Sequence, residues 1–236
     1  MILYIIRHGD PDYATDSLTE KGRLQAELVG KRLFDAGIDR VFSSPLGRAR
    51  QTAEPLCRMA GIECHVEEWA REVDVDMMMT TLPDGAPKSI SILQNTYFLE
   101  NGGAELGLAD SFECPPVKEG RMKEACAKIE RGGDEFLERL GYKKENGIYR
   151  ILRENNERVA LFCHGAMGRA WIASLLHIPF HIMWASFKYT HTGVTAIEFK
   201  NNENGLTAPK CFFYSDMSHL YAAGAENMIY NNTTKI

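Results

Sequence analysis

Two apolar runs in this chain are nearly unbroken and do not alternate. Ile2, Leu3, Ile5 and Ile6 lead into Arg7-His8-Gly9, and Val159, Ala160, Leu161 and Phe162 lead into Cys163-His164-Gly165. Such runs predict strands buried on both faces, in the interior of a sheet. Between them the spacing alternates between strand and helix. Residues 10–18 read as a loop, because Pro11 cannot extend a ladder and Asp and Ser favour turns. A helix is predicted from there to about Ala36, capped by Ser17 (with Glu20 at capping-box spacing) or by Thr19. Leu24, Leu28, Val29 and Leu33 form its apolar face, and Gly37 stops it. Ile38–Phe42 predicts a second strand, Leu46–Ala60 a helix ended by Gly61, and Ile62–Val66 a third strand.

This β-α-β-α-β opening predicts an α/β fold of three layers with a mostly parallel central sheet. The pattern changes from about Asp74 to Pro116, where Met77, Met78 and Met79 and several prolines and glycines lie among short helical fragments. A stretch of this length predicts a lid-like insertion within a single domain spanning 1–236. A helix over Lys118–Leu140 is interrupted by Gly132-Gly133, where each glycine costs about 1 kcal/mol, so a kink or break is expected there. Further along, a helix over Met167–Leu176, strands over Thr192–Phe199 and Lys210–Tyr214, and a short helix after Asp216 are expected, with a loose tail around 231–234.

Composition narrows the function classes. Hydrophobic content of 44% and charged content of 25% fit an ordinary globular chain of 236 residues. A formal net charge of −5 argues against a nucleic-acid or anionic-membrane partner, so any anion site must be a local cluster of cations. No apolar run approaches the roughly 18 residues that span a bilayer, and no basic leader precedes the first strand, so a cytoplasmic location is expected. Cys57, Cys64, Cys114, Cys126, Cys163 and Cys211 form no CxxC pair, which predicts reduced, mostly buried thiols.

The candidate chemistry sits where the strands end. In open α/β sheets ligands bind at the C-terminal tips of the strands, and both buried runs deliver a His-Gly there. A third stretch, Ser43-Ser44-Pro45-Leu46-Gly47-Arg48-Ala49-Arg50, follows the second strand, and the helix start it opens favours an anion. Arg48 adds a planar fork suited to phosphate oxygens, whereas Arg50 reads as a solvated surface charge.

Together, RHG after the first strand, SSPLGRARQTAE after the second and CHG at a late strand resemble the histidine phosphatase superfamily, which includes the cofactor-dependent phosphoglycerate mutases. The resemblance implies that His8 is the nucleophile that takes the phosphoryl group, and that Arg7, Arg48 and His164 surround the phosphate. Within EEWAREVD it implies Glu72 as the acid that protonates the leaving oxygen, with Glu68 as the alternative and Glu67 a surface charge. Gly9, Asp10, Gly165 and His191 are the candidate substrate contacts. No metal or other cofactor is called for, because two arginines and a second histidine supply the cations that phosphoryl transfer asks for.

The resemblance also carries departures. The loop PDYATDS lacks an Asn that many members place near the phosphate, and Arg169 on the helix after His164 reads as structural. A phosphoglycerate mutase should carry basic residues just past the acid, where this chain has Met77, Met78 and Met79. That difference favours hydrolysis of a small, less charged phosphomonoester. Phosphoglycerate mutase-type transfer and a catalytically silent phosphate-binding module remain the alternatives, and a homodimer stays open. Of the other residues, His65 reads as half-buried scaffolding, His177 and His181 as helix-end and loop positions, and Trp69, Trp171 and Trp184 as core or lid aromatics.

Overall fold

The structure, a computed structural model, describes residues 1–100 and 102–224. The expected loose tail at 231–234 lies outside them. The first buried run is β1 (Ile2–Arg7). Residues 10–19 then form a small hairpin, β2 (Pro11–Asp12) against β3 (Ser17–Leu18). In α1 (Glu20–Asp35) the N-cap is Thr19, whose hydroxyl accepts from the Gly22 N–H at 3.0 Å. The buried face of α1 is rotated from the expected one. Ala26, Val29 and Leu33 are buried, while Leu24 is 45% exposed. The cause is close backbone approach: a Cβ on Gly30 would lie 3.0 Å from the Leu56 nitrogen of the next helix.

After β4 (Arg40–Ser43), α2 (Gly47–Ala60) runs to Gly61, whose φ of +66 turns the chain back into β5 (Cys64–Val66). That return sets the Cys57 and Cys64 thiols beside each other. The insertion contains a hairpin, β6 (Met79–Thr81) with β7 (Pro87–Ser89), and two short helices, α3 (Asn95–Leu99) and α4 (Pro115–Lys118). Its buried Met77, Ile90, Phe98, Cys114 and Val117 belong to the same hydrophobic cluster as Trp171 and Trp184.

α5 (Met122–Arg139) runs through Gly132-Gly133 without the break that was one of the two expected outcomes there. The two glycines open a groove for tryptophans: a Cβ on Gly132 would lie 2.4 Å from Trp69 Cβ, and one on Gly133 2.1 Å from Trp171 Nε1. The next two strands, β8 (Tyr142–Glu145) and β9 (Ile148–Ile151), were not foreseen. Asn146 and Gly147 both hold positive φ between them, and Asn-Gly is a strong hairpin signal.

The second buried run is β10 (Arg158–Cys163), followed by α6 (Gly165–Leu176), α7 (Phe180–Ser186), β11 (Val194–Glu198), β12 (Leu206–Thr207), β13 (Lys210–Asp216) and α8 (Ser218–Ala223). β12 pairs with β9 in a separate small sheet. The main sheet has the order β13-β11-β1-β10-β4-β5. Its β1–β10, β10–β4 and β4–β5 pairs are parallel, and β11 is antiparallel to both of its neighbours.

Strand periodicity divides the core between two faces. Ile6, Ala160 and Phe162 pack with Val29 and Leu33 of α1 and with Ala53 and Leu56 of α2. Leu3, Ile5, Leu161 and Cys163 face Phe136 of α5 and Met167 and Trp171 of α6. Each such fully buried Leu, Ile or Phe contributes about 1.5–3 kcal/mol. The same parity aims Arg7, two residues after Ile5, toward the α6 side. Among the described residues no helix is long and apolar enough to cross a membrane.

Candidate active site

Register assembles the site. β1 pairs with β10 so that Arg7 lies beside Cys163, which sets the two His-Gly turns side by side. β4 pairs on the other side of β10 with Ser43 opposite Phe162, so Ser44 arrives next to His164. The His8 and His164 rings have centroids 5.2 Å apart, and His191, on the segment entering β11, stands 5.5 Å from His8 on its other side. All three rings are buried.

A hydrogen bond defines the His8 tautomer. His8 Nδ1 lies 2.7 Å from the Gly9 carbonyl oxygen, which can only accept, so Nδ1 carries the proton and Nε2 the lone pair. Ser44 Oγ accepts from the Leu46 N–H and lies 2.6 Å from His164 Nε2, a pair in which either can donate. His164 Nδ1 is buried with no partner among the described residues. Burial holds the His8 imidazole well below its ordinary pKa, and the Arg7 charge adds to the effect. Burial lowers His164 in the same way, helped by His8 and Arg48, and lowers His191, helped by Arg7.

The arginines are anchored differently. Arg7 donates through Nη1 to the Tyr189 carbonyl oxygen and lies against Gly165, where a Cβ would come 3.4 Å from its Cζ. Arg48 sits in the first turn of α2, with Nη1 on Asp16 Oδ1 at 2.5 Å and Nε buried without a partner among the described residues. The anion seated at the start of α2 is therefore this chain's own Asp16, which also accepts from the Gly47 N–H at 2.6 Å. Arg50 is exposed, as expected.

Glu72 is brought to the site and Glu68 is not. The Glu72 carboxylate accepts from the backbone N–H groups of Val73, Gly165, Ala166 and Met167, at 2.9 to 3.2 Å. It also lines a cavity of about 730 Å³ together with Arg7, Met78, Phe98, Arg169 and Trp184. Glu68 is exposed and outside that lining. Glu67, expected to be solvated, instead accepts from Trp69 Nε1 at 2.8 Å and pairs with Arg139.

The candidate substrate contacts divide. Gly165 lines the cavity. The Gly9 N–H is spent on Thr52 Oγ1 at 3.0 Å, and its missing side chain makes room for α1, since a Cβ would lie 2.7 Å from the Gly22 oxygen. Asp10 backs the ring cluster from outside: Oδ2 accepts from Thr19 Oγ1 at 2.8 Å, and Oδ1 faces His191 Nδ1 at 3.5 Å. Arg169 and Trp184, read as structural, also line the cavity, with the guanidinium 3.7 Å from the Trp184 ring centroid. Of the three methionines, Met77 is core and Met78 reaches the cavity. His65 is exposed, its ring tilted against Phe42, and His181 is fully buried in α7. Among the described residues no group of three His, Cys, Asp or Glu is arranged to hold a metal ion.

Solved structures of this fold include a phosphoserine phosphatase from Entamoeba histolytica, with TM-score 0.60 and 21% identity over 93% of this chain and 98% of that one. A mycobacterial glucosyl-3-phosphoglycerate phosphatase matches with TM-score 0.59 and 21% identity over 92% and 99%. Curated relatives named "Probable phosphoglycerate mutase GpmB", from Erwinia tasmaniensis and Citrobacter koseri, are 34% and 35% identical over 85 residues. Those alignments cover 32% of this chain and 40% of the relatives' length. The profile of the histidine phosphatase superfamily (branch 1) matches residues 3–89 and 115–210, skipping most of the insertion, and the chain belongs to that superfamily.

Proposed function

We propose that this chain hydrolyses a small phosphomonoester through a phosphohistidine at His8. The observation that carries the reading is the His8 tautomer: with Nδ1–H tied to the Gly9 carbonyl, the neutral ring presents Nε2 as its nucleophile. The Nε2 lone pair attacks phosphorus, and the bond from phosphorus to the ester oxygen breaks. Arg7, Arg48 and His164, with Ser44 donating to its Nε2 and Nδ1 carrying the proton, hold the three peripheral oxygens as charge redistributes. Glu72, the one carboxylate lining the cavity among the described residues, hands a proton to the departing oxygen. It then takes one from the water that cleaves the phosphorus–nitrogen bond.

Two features favour hydrolysis over mutase-type transfer. The structural relatives named above are phosphatases of a phosphorylated amino acid and a phosphorylated sugar acid. The cavity also has apolar Met78, Phe98 and Trp184 in its wall, which suits a less charged ester than a phosphoglycerate. Phosphate release from a panel of aryl, sugar and amino-acid phosphates tests the reading, with wild type compared to His8→Ala. Wild type should turn over at least one ester, and the variant should lose roughly 10⁴-fold or more. Isomerisation of a phosphoglycerate without phosphate release would make the chain a mutase. Equal inactivity of both proteins across the panel would leave only a phosphate-binding module.

A further inference from the structure

α2 opens without a side-chain cap of its own, since Leu46 offers no acceptor. Asp16 supplies it from the β2–β3 hairpin, one oxygen on the Gly47 N–H at 2.6 Å and the other on Arg48 Nη1 at 2.5 Å. The hairpin brings it there at close quarters. Asp16 holds φ +48, the left-handed turn conformation that Asp, Asn and Gly adopt. Its carbonyl also presses so close that a Cβ on Gly47 would lie 2.2 Å away. Arg48 is thus fastened at one edge of its guanidinium, while Nε, buried and without a partner among the described residues, is left for a ligand.

We propose that Asp16 is the positioning residue for Arg48: it fixes the guanidinium in the orientation that receives the substrate phosphate, and it touches no substrate itself. This rests on the phosphatase reading given above. Two effects of the carboxylate oppose each other. Its negative charge repels an incoming oxyanion, but the Asp16 side chain is 41% exposed and water screens it. An unfastened arginine would regain the freedom of a long side chain, which binding must then remove. Positioning outweighs repulsion.

The sign of one measurement separates them. Asp16→Asn suits the local φ and removes the charge; Asp16→Gly suits it too and guards against a misfolded first variant. Orthovanadate binding, followed by calorimetry, should weaken roughly tenfold in both despite the lost negative charge. In an Arg48→Ala background either change should add nothing. With an aryl phosphate, kcat/KM should fall in parallel, equally for good and poor leaving groups. Tighter or unchanged vanadate binding overturns the proposal, as does an equal loss with and without Arg48, which would mean a general structural role. A wild type that binds vanadate but cleaves no ester would sink the phosphatase reading while leaving this role measurable. A wild type that binds no oxyanion would sink both.

Discussion

Both oxygens of Glu72 are engaged by backbone N–H groups, and those of Gly165, Ala166 and Met167 belong to the first turn of α6. A carboxylate there stabilises the helix start and its dipole, and it fixes where His164 leaves the strand. Glutamine at 72 would turn an NH2 against those N–H groups, so Glu72→Gln should lower stability by about 1 kcal/mol, read as a few degrees in Tm. Its proton-transfer role predicts a second, separable effect. Alkyl phosphates should lose about 10²- to 10⁴-fold in kcat, and p-nitrophenyl phosphate, whose leaving group needs no proton, far less. Equal losses on both esters would reduce Glu72 to a brace. At this scale the motifs were legible wherever one residue type does one job: His8, Arg7, Arg48 and His164 converge. Less legible were the jobs the fold gives Gly9, which admits α1, and Asp10, which holds Thr19, because neither contact shows in the motif. Asp16 went unseen for the converse reason, because a lone Asp in a turn carries no pattern until the fold sets it against Arg48.

α5 shows how an element can defeat its own propensity. Gly132-Gly133 weakens the helix locally, yet the tryptophans seated on it depend on the absent side chains. Gly133→Ala would improve intrinsic helix propensity by about 1 kcal/mol. Its Cβ would stand 2.1 Å from Trp171 Nε1, however, and Trp171 is 1% exposed with no room to retreat. Overpacking of this kind costs about 1–3 kcal/mol, so the variant should melt at a lower temperature than wild type. A rise in Tm would show that the groove can yield. Element type was readable for the long periodic segments because burial of one face repeats in the sequence. The direction of α1's buried face was not readable, since it follows from glycine contacts with α2 that only the packed structure supplies. The β8–β9 hairpin was readable from Asn146-Gly147 but lay between two stronger signals.

At the scale of the whole molecule, the site concentrates neutral imidazoles beside fixed cations. His8, His164 and His191 are all pulled below the ordinary histidine value, first by burial and then by the neighbouring Arg7 or ring charges. His219, packed near Arg32, is lowered to about 4 by burial. In the unfolded chain each ring regains a pKa of about 6.5. Below that pH the unfolded state therefore binds more protons than the folded one, and stability must fall as pH falls. The contribution is complete above about pH 7 and diminishes by up to about 1.4 kcal/mol per pH unit for each ring that stays neutral in the fold. Tm should accordingly be level from pH 8 to 7 and drop steeply between pH 6 and 5. His191→Gln, which removes one such ring and leaves His8 and His164 in place, should make the drop shallower by one proton's worth. Bound orthovanadate should flatten it further, because an anion among the rings stabilises their charged forms. A Tm that holds steady down to pH 5 would mean the cluster already carries protons in the native state, and a neutral His8 nucleophile would go with it.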